Sequence, residues 1–93
     1  MHIGTLTVVV YLAEGSSLKE KRQVIKSLIE TTRRKFNVSI AEVDDNDLWQ
    51  RATLGVACVA NDAAHVHRVL DKVMDYIESS PLLSVGEVEM EML

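Results

Sequence analysis

Three carboxylates within four residues, Asp44-Asp45-Asn46-Asp47, follow Glu42 near the middle of this chain. Acid–base chemistry or a hard cation would use groups of this kind. The spacing lacks the glycine and distal glutamate of a helix-loop-helix calcium site. No histidine, nucleophile or glycine-rich phosphate cradle stands beside the carboxylates, so the stretch predicts a turn. His65 and His67 lie two apart, which places them on different faces of a helix and predicts surface or packing roles, not joint metal ligation. Cys58 sits in an alternating apolar run with no base beside it and predicts a small core residue. Glu14-Gly15-Ser16-Ser17 is too short for a phosphate loop and has no suitably placed lysine. These residues predict no enzyme, no metal and no cofactor.

The cations carry more. Projected at 100° per residue, Lys19, Arg22, Lys26, Arg33 and Arg34 share one flank of a helix, interrupted by Glu30. Such a strip meets the phosphates of a polyanion, or it is a solvated helix side supported by pairs of Glu30 with Arg33 or Arg34; both readings stand at this point. The net charge of −4 is uneven: residues 1–36 hold seven Lys/Arg against three Glu, and residues 37–93 hold three against eleven carboxylates. A protein acidic in bulk can still own a basic face. Trp49 beside Arg51 is a candidate stacking or anchoring contact, or else a cover for the rim of a core.

The elements that must position these residues follow from periodicity. Residues 3–12 alternate as a strand, with Leu6, Val8, Val10 and Leu12 on one side and Thr5, Thr7, Val9 and Tyr11 on the other. Ser17 with Glu20 forms a capping-box signature for a helix from Leu18 to about Lys35, whose apolar face holds Leu18, Ile25, Leu28 and Ile29. Asn37 to Val43 and Ala52 to Ala60 read as two further strands. Asn61-Asp62 caps a second helix running to about Ser79 before Pro81, and Leu83 to Leu93 alternates Gly86, Val88, Met90 and Met92 with Glu87, Glu89 and Glu91. Glutamates along one side of this last strand protect an exposed edge.

The order β-α-β-β-α-β predicts one α+β domain over residues 1–93, a ferredoxin-like sandwich with two helices on one face of a four-stranded antiparallel sheet. The first and third strands should be central. Their open sides present Thr5, Thr7, Val9, Tyr11, Thr53, Gly55, Ala57 and Val59, which predicts pairing of sheets or edges in a homodimer. Domains of this topology that stack bases do so with aromatics on the two central strands. The third strand has none, so nucleic-acid contact would run through the basic helix.

Composition narrows the setting. The core must be aliphatic, because only Tyr11, Phe36, Trp49 and Tyr76 are aromatic. A single cysteine excludes an internal disulfide framework, the chain starts without a secretory leader, and no apolar run reaches membrane-spanning length; a cytoplasmic protein without a membrane partner is expected.

Several blocks taken together carry a family pattern: Ser17-Leu18-Lys19-Glu20-Lys21-Arg22, Phe36-Asn37-Val38-Ser39, Ala41-Glu42-Val43, Asp47-Leu48-Trp49-Gln50-Arg51-Ala52 and Leu54-Gly55-Val56. Over nearly its whole length the chain resembles the YlxP family of small bacterial proteins. The resemblance implies a ferredoxin-like fold, a bacterial cytoplasm, and genes often placed beside those for translation initiation and ribosome maturation factors. It supplies no catalytic residues. The resulting expectation is a non-enzymatic binding module for RNA or a ribosomal subunit, with Lys19, Arg22, Lys26, Arg33 and Arg34 on phosphates and Trp49 with Arg51 as a specificity contact. The alternative is a small-molecule-binding or regulatory homodimer built on the open sheet face.

Overall fold

The computed structural model describes residues 1–13, 15–45 and 48–93. Glu14, Asn46 and Asp47 lie outside the described residues, and with them part of the expected acidic turn. Six elements follow in the order β1 (His2–Leu12), α1 (Leu18–Lys35), β2 (Ser39–Asp44), β3 (Arg51–Ala60), α2 (Ala63–Glu78) and β4 (Leu83–Met92). The strands form one antiparallel sheet in the order β2-β3-β1-β4, so β1 and β3 are central as predicted. This is the ferredoxin-like α+β architecture.

Local chemistry fixes both helix starts. Ser17 and Glu20 close a reciprocal capping box on α1, with Ser17 Oγ accepting from the Glu20 N–H at 3.1 Å. Asp62 Oδ1 accepts from the Ala64 N–H at 3.0 Å and caps α2. Leu6, Val8, Val10 and Leu12 of β1 and Leu54, Val56 and Cys58 of β3 pack against Ile25 and Leu28 of α1 and Val66, Leu70, Val73 and Ile77 of α2. Burial pushes the Cys58 thiol up, in keeping with a core role. Thr32, also fully buried, is satisfied by donating to the Leu28 carbonyl at 2.7 Å. Helix α2 spans β1, β3 and β4, whereas α1 lies beside β2, so the exposed flank of α1 runs along the sheet edge.

Gly4 lets α2 come close. A Cβ there would stand 2.6 Å from Val66 Cγ1 and 2.9 Å from Leu70 Cδ1.

Strand β4 departs from simple alternation. A register shift between Val8 and Val10 of β1 opposes Val8 to Val88 but Val10 to Val85. Leu83, Val85 and Met90 therefore all reach the core, although 85 and 90 differ by an odd number. Gly86 leaves the apolar side that the sequence predicts for it and sits against Tyr11, where a Cβ would meet Tyr11 Cε2 at 2.5 Å. The open face is also less uniformly apolar than its sequence implies. Val9 and Thr53 are buried on it, and its large exposed aliphatics are Val43 and Val59, 58% and 56% exposed.

Candidate functional site

Lys21 lies four residues before Ile25 and seven before Leu28, inside the core-facing stripe of α1, and is 1% exposed. Its ammonium donates to the carbonyl oxygens of Asp45 and Leu48, each at 2.6 Å, and stands 3.0 Å from Glu42 Oε2. The two carbonyls take two of the three ammonium protons. The Glu42 contact is an ion pair without hydrogen-bond geometry, which leaves that buried oxygen short of a hydrogen-bond donor. Burying an ammonium costs several kcal/mol unless it is well partnered, so these contacts are what allow the lysine to stand there. They bind the first turn of α1 to β2 and to the connection between β2 and β3.

A second network holds the same connection from the other side. Asp45 has a φ of 66°, a left-handed conformation that aspartate tolerates, and its N–H donates to Asp44 Oδ1 at 2.8 Å. Asp45 Oδ2 accepts from Thr53 Oγ1 at 2.7 Å and from Arg51 Nε at 2.9 Å. The Thr53 hydroxyl first, and the Arg51 guanidinium with it, hold the Asp45 carboxyl below its ordinary range, and the same carboxylate raises Arg51. The Arg51 guanidinium carbon lies 5.9 Å from the Tyr11 ring centroid, in cation–π range. Leu12 N–H donates to the Gln50 carbonyl at 2.8 Å, and Leu48 N–H to that of Asp45 at 3.0 Å. Glu42 and Asp45 are thus engaged in structural contacts.

Part of the strip and the tryptophan each line a concavity, with no lining residue in common among the described residues. Arg22, Lys26 and Arg33 line a groove of about 470 Å³ between α1 and β2, floored by Ile25 and Ile29 and shared with Glu30, Ala41 and Glu42. Lys19 and Arg34 are exposed on the same helix but outside that groove. Among the described residues no ion pair joins Glu30 to Arg33 or Arg34; Arg33 Nη2 instead donates to the Ile40 carbonyl at 2.8 Å, on the open edge of β2. Trp49, 60% exposed, lines a second hollow of about 430 Å³ with Tyr11, Leu48, Gln50 and Arg51. It does not cover the rim of the core. Glu42 borders the first hollow and Leu48 the second, and the Lys21 ammonium contacts both of these residues.

His65 and His67 are exposed on α2, with His67 Nδ1 3.1 Å from Asp71 Oδ2. Phe36 and Tyr76 pack edge to face at 5.8 Å, with Lys35 Nζ 5.1 Å above Tyr76. The residues that sequence reasoning missed are Lys21 and the Asp45–Arg51–Thr53 network. Lys21 had a signal, its place on the apolar stripe; the network had none, because its members meet across a connection.

A family model described as a protein of unknown function (DUF503) matches residues 3–90. The chain belongs to this family. One relative, an uncharacterised protein YlxP of Bacillus subtilis (strain 168), is 40% identical over 68 residues, covering 73% of this chain and 74% of that protein. Membership thus bears out the resemblance drawn from the sequence blocks, and the family description names no activity. No helix of the described residues is long and apolar enough to cross a membrane.

Proposed function

We propose that this chain is a non-enzymatic, cytoplasmic binding module that holds RNA, free or within a ribosomal subunit, along the exposed flank of α1. The observation that supports it is the gathering of Arg22, Lys26 and Arg33 on one groove, with Lys19 and Arg34 extending the cationic strip at either end. Of the two acids in that groove, Glu42 is already balanced by Lys21, which leaves the groove cationic on balance. Phosphates would be met by charge and shape, with little sequence preference from the helix itself. Trp49 with Arg51 is the specificity contact. A module without turnover belongs to the same reading, in which Asp45 and Glu42 serve the fold through the partners that hold them.

The test is co-sedimentation with ribosomal subunits and with free ribosomal RNA at two salt concentrations. Wild-type protein should migrate with the particle or RNA and be released by salt. A folded variant with Lys19, Arg22, Lys26 and Arg33 changed to Glu should stay at the top of the gradient. No migration of the wild type at low salt would overturn the reading.

A second reading rests on Val43 and Val59, the exposed aliphatics of the open sheet face. It makes the chain a regulatory homodimer that pairs these faces and binds a small molecule between them. Concentration-dependent mass in light scattering, lost in Val59→Lys, would favour it.

A further inference from the structure

We infer that the nucleic acid this surface takes is single-stranded, with its backbone along the α1–β2 groove and an unpaired base stacked on Trp49. This rests on the RNA-binding reading and narrows it to a substrate class.

Phe36 and Tyr76 are engaged with each other, and Tyr11 carries Arg51 on its ring, whereas Trp49 keeps 60% of its surface exposed at the hollow it lines. A base offers its π face to such a ring only when it is unpaired and unstacked.

A buried ammonium adds little net stability to a fold, so Lys21 is explained better by what it positions than by what it contributes. Its two shortest contacts grip the carbonyls of Asp45 and Leu48, the latter next to Trp49, while Arg51, two residues beyond Trp49, is gripped by Asp45. Leu48 before the indole and Arg51 after it are thus each held by a side chain, which lowers the ordering cost of a stacking contact.

Lys21 links the two sites through one side chain, meeting Glu42 of the cationic groove and the Leu48 carbonyl beside Trp49. From Lys19 to Arg33 the strip is about 21 Å long on helical rise, one helix wide, with Glu30 within it. A duplex read by shape needs contacts spread over two successive minor grooves, and a strip of this width does not supply them.

The experiment titrates the full chain with a labelled single-stranded RNA of about 12 nucleotides and with the same strand annealed to its complement. Anisotropy of the label and fluorescence of Trp49, the sole tryptophan, are read together. The expected result is salt-sensitive binding of the single strand with quenching of Trp49, and at least about tenfold weaker binding of the duplex. Trp49→Ala should weaken the single strand about tenfold without changing the salt slope, and Trp49→Phe should restore most of it. Equal or tighter duplex binding, or single-strand binding without quenching, would overturn the inference and leave the RNA-binding reading standing. Binding of neither RNA at low salt would overturn both.

Discussion

Lys21 Nζ stands 2.6 Å from the carbonyl oxygen of Leu48, so a lysine buried in the core-facing stripe of α1 holds the residue before an exposed tryptophan. The sheet edge, the first helix and the connection between β2 and β3 meet at this one ammonium. Replacing it tests whether the connection depends on it. Lys21→Met should lower unfolding free energy by about 3 kcal/mol, since Glu42 is left without its partner. Lys21→Met with Glu42→Leu should recover a substantial part. Urea unfolding measures both effects, and a red shift of native Trp49 emission in Lys21→Met would report loosening of the tip.

Acid should act through Asp45. Its folded-state pKa lies below the ordinary carboxylate value, so its contribution to stability is complete above the unfolded value and is lost as pH falls through the folded one. The window therefore opens below about pH 4. Asp45→Asn removes the charge that Arg51 and Thr53 hold. The thermal midpoint of wild type should exceed that of Asp45→Asn at pH 6, and the gap should narrow toward pH 3. A gap that widens in acid would contradict the assigned network.

Gly4 tests the packing of α2. An alanine Cβ would enter the space of Val66 Cγ1 and Leu70 Cδ1, both side chains in a close-packed layer. Gly4→Ala should cost about 1–2 kcal/mol in urea unfolding by overpacking. The strip on the opposite helix is untouched, so any RNA affinity should stay unchanged.

Much of the fold was legible because its signals are local. Ser17 and Glu20 announce the start of α1 within one turn, and the alternation of Leu6, Val8, Val10 and Leu12 names the buried side of β1. The path of β4 was not legible. Its Gly-Glu-Val-Glu-Met-Glu-Met run alternates perfectly, and the bulge that turns Gly86 toward Tyr11 is set by pairing with β1.

The site divides in the same way. Arg22, Lys26 and Arg33 share a helix flank by spacing alone, and the structure brings them to one groove. Lys21, between Glu20 and Arg22, reads as one more solvated charge unless its register with Ile25 and Leu28 is weighed. Arg51 reads as a free cation beside Trp49, but Asp45, six residues earlier, takes its Nε. Only the folded connection joins them.

The central claim is that the α1 strip binds RNA phosphates, and the salt dependence of the affinity tests it most directly. Three to five phosphate contacts predict that log K falls against log salt with a slope of about −2 to −3.5 for a single strand. Lys26→Ala should reduce that slope by about 0.7 and weaken binding evenly across RNA sequences. A slope near zero, or a slope unchanged in Lys26→Ala and in Arg22→Ala, would contradict the claim.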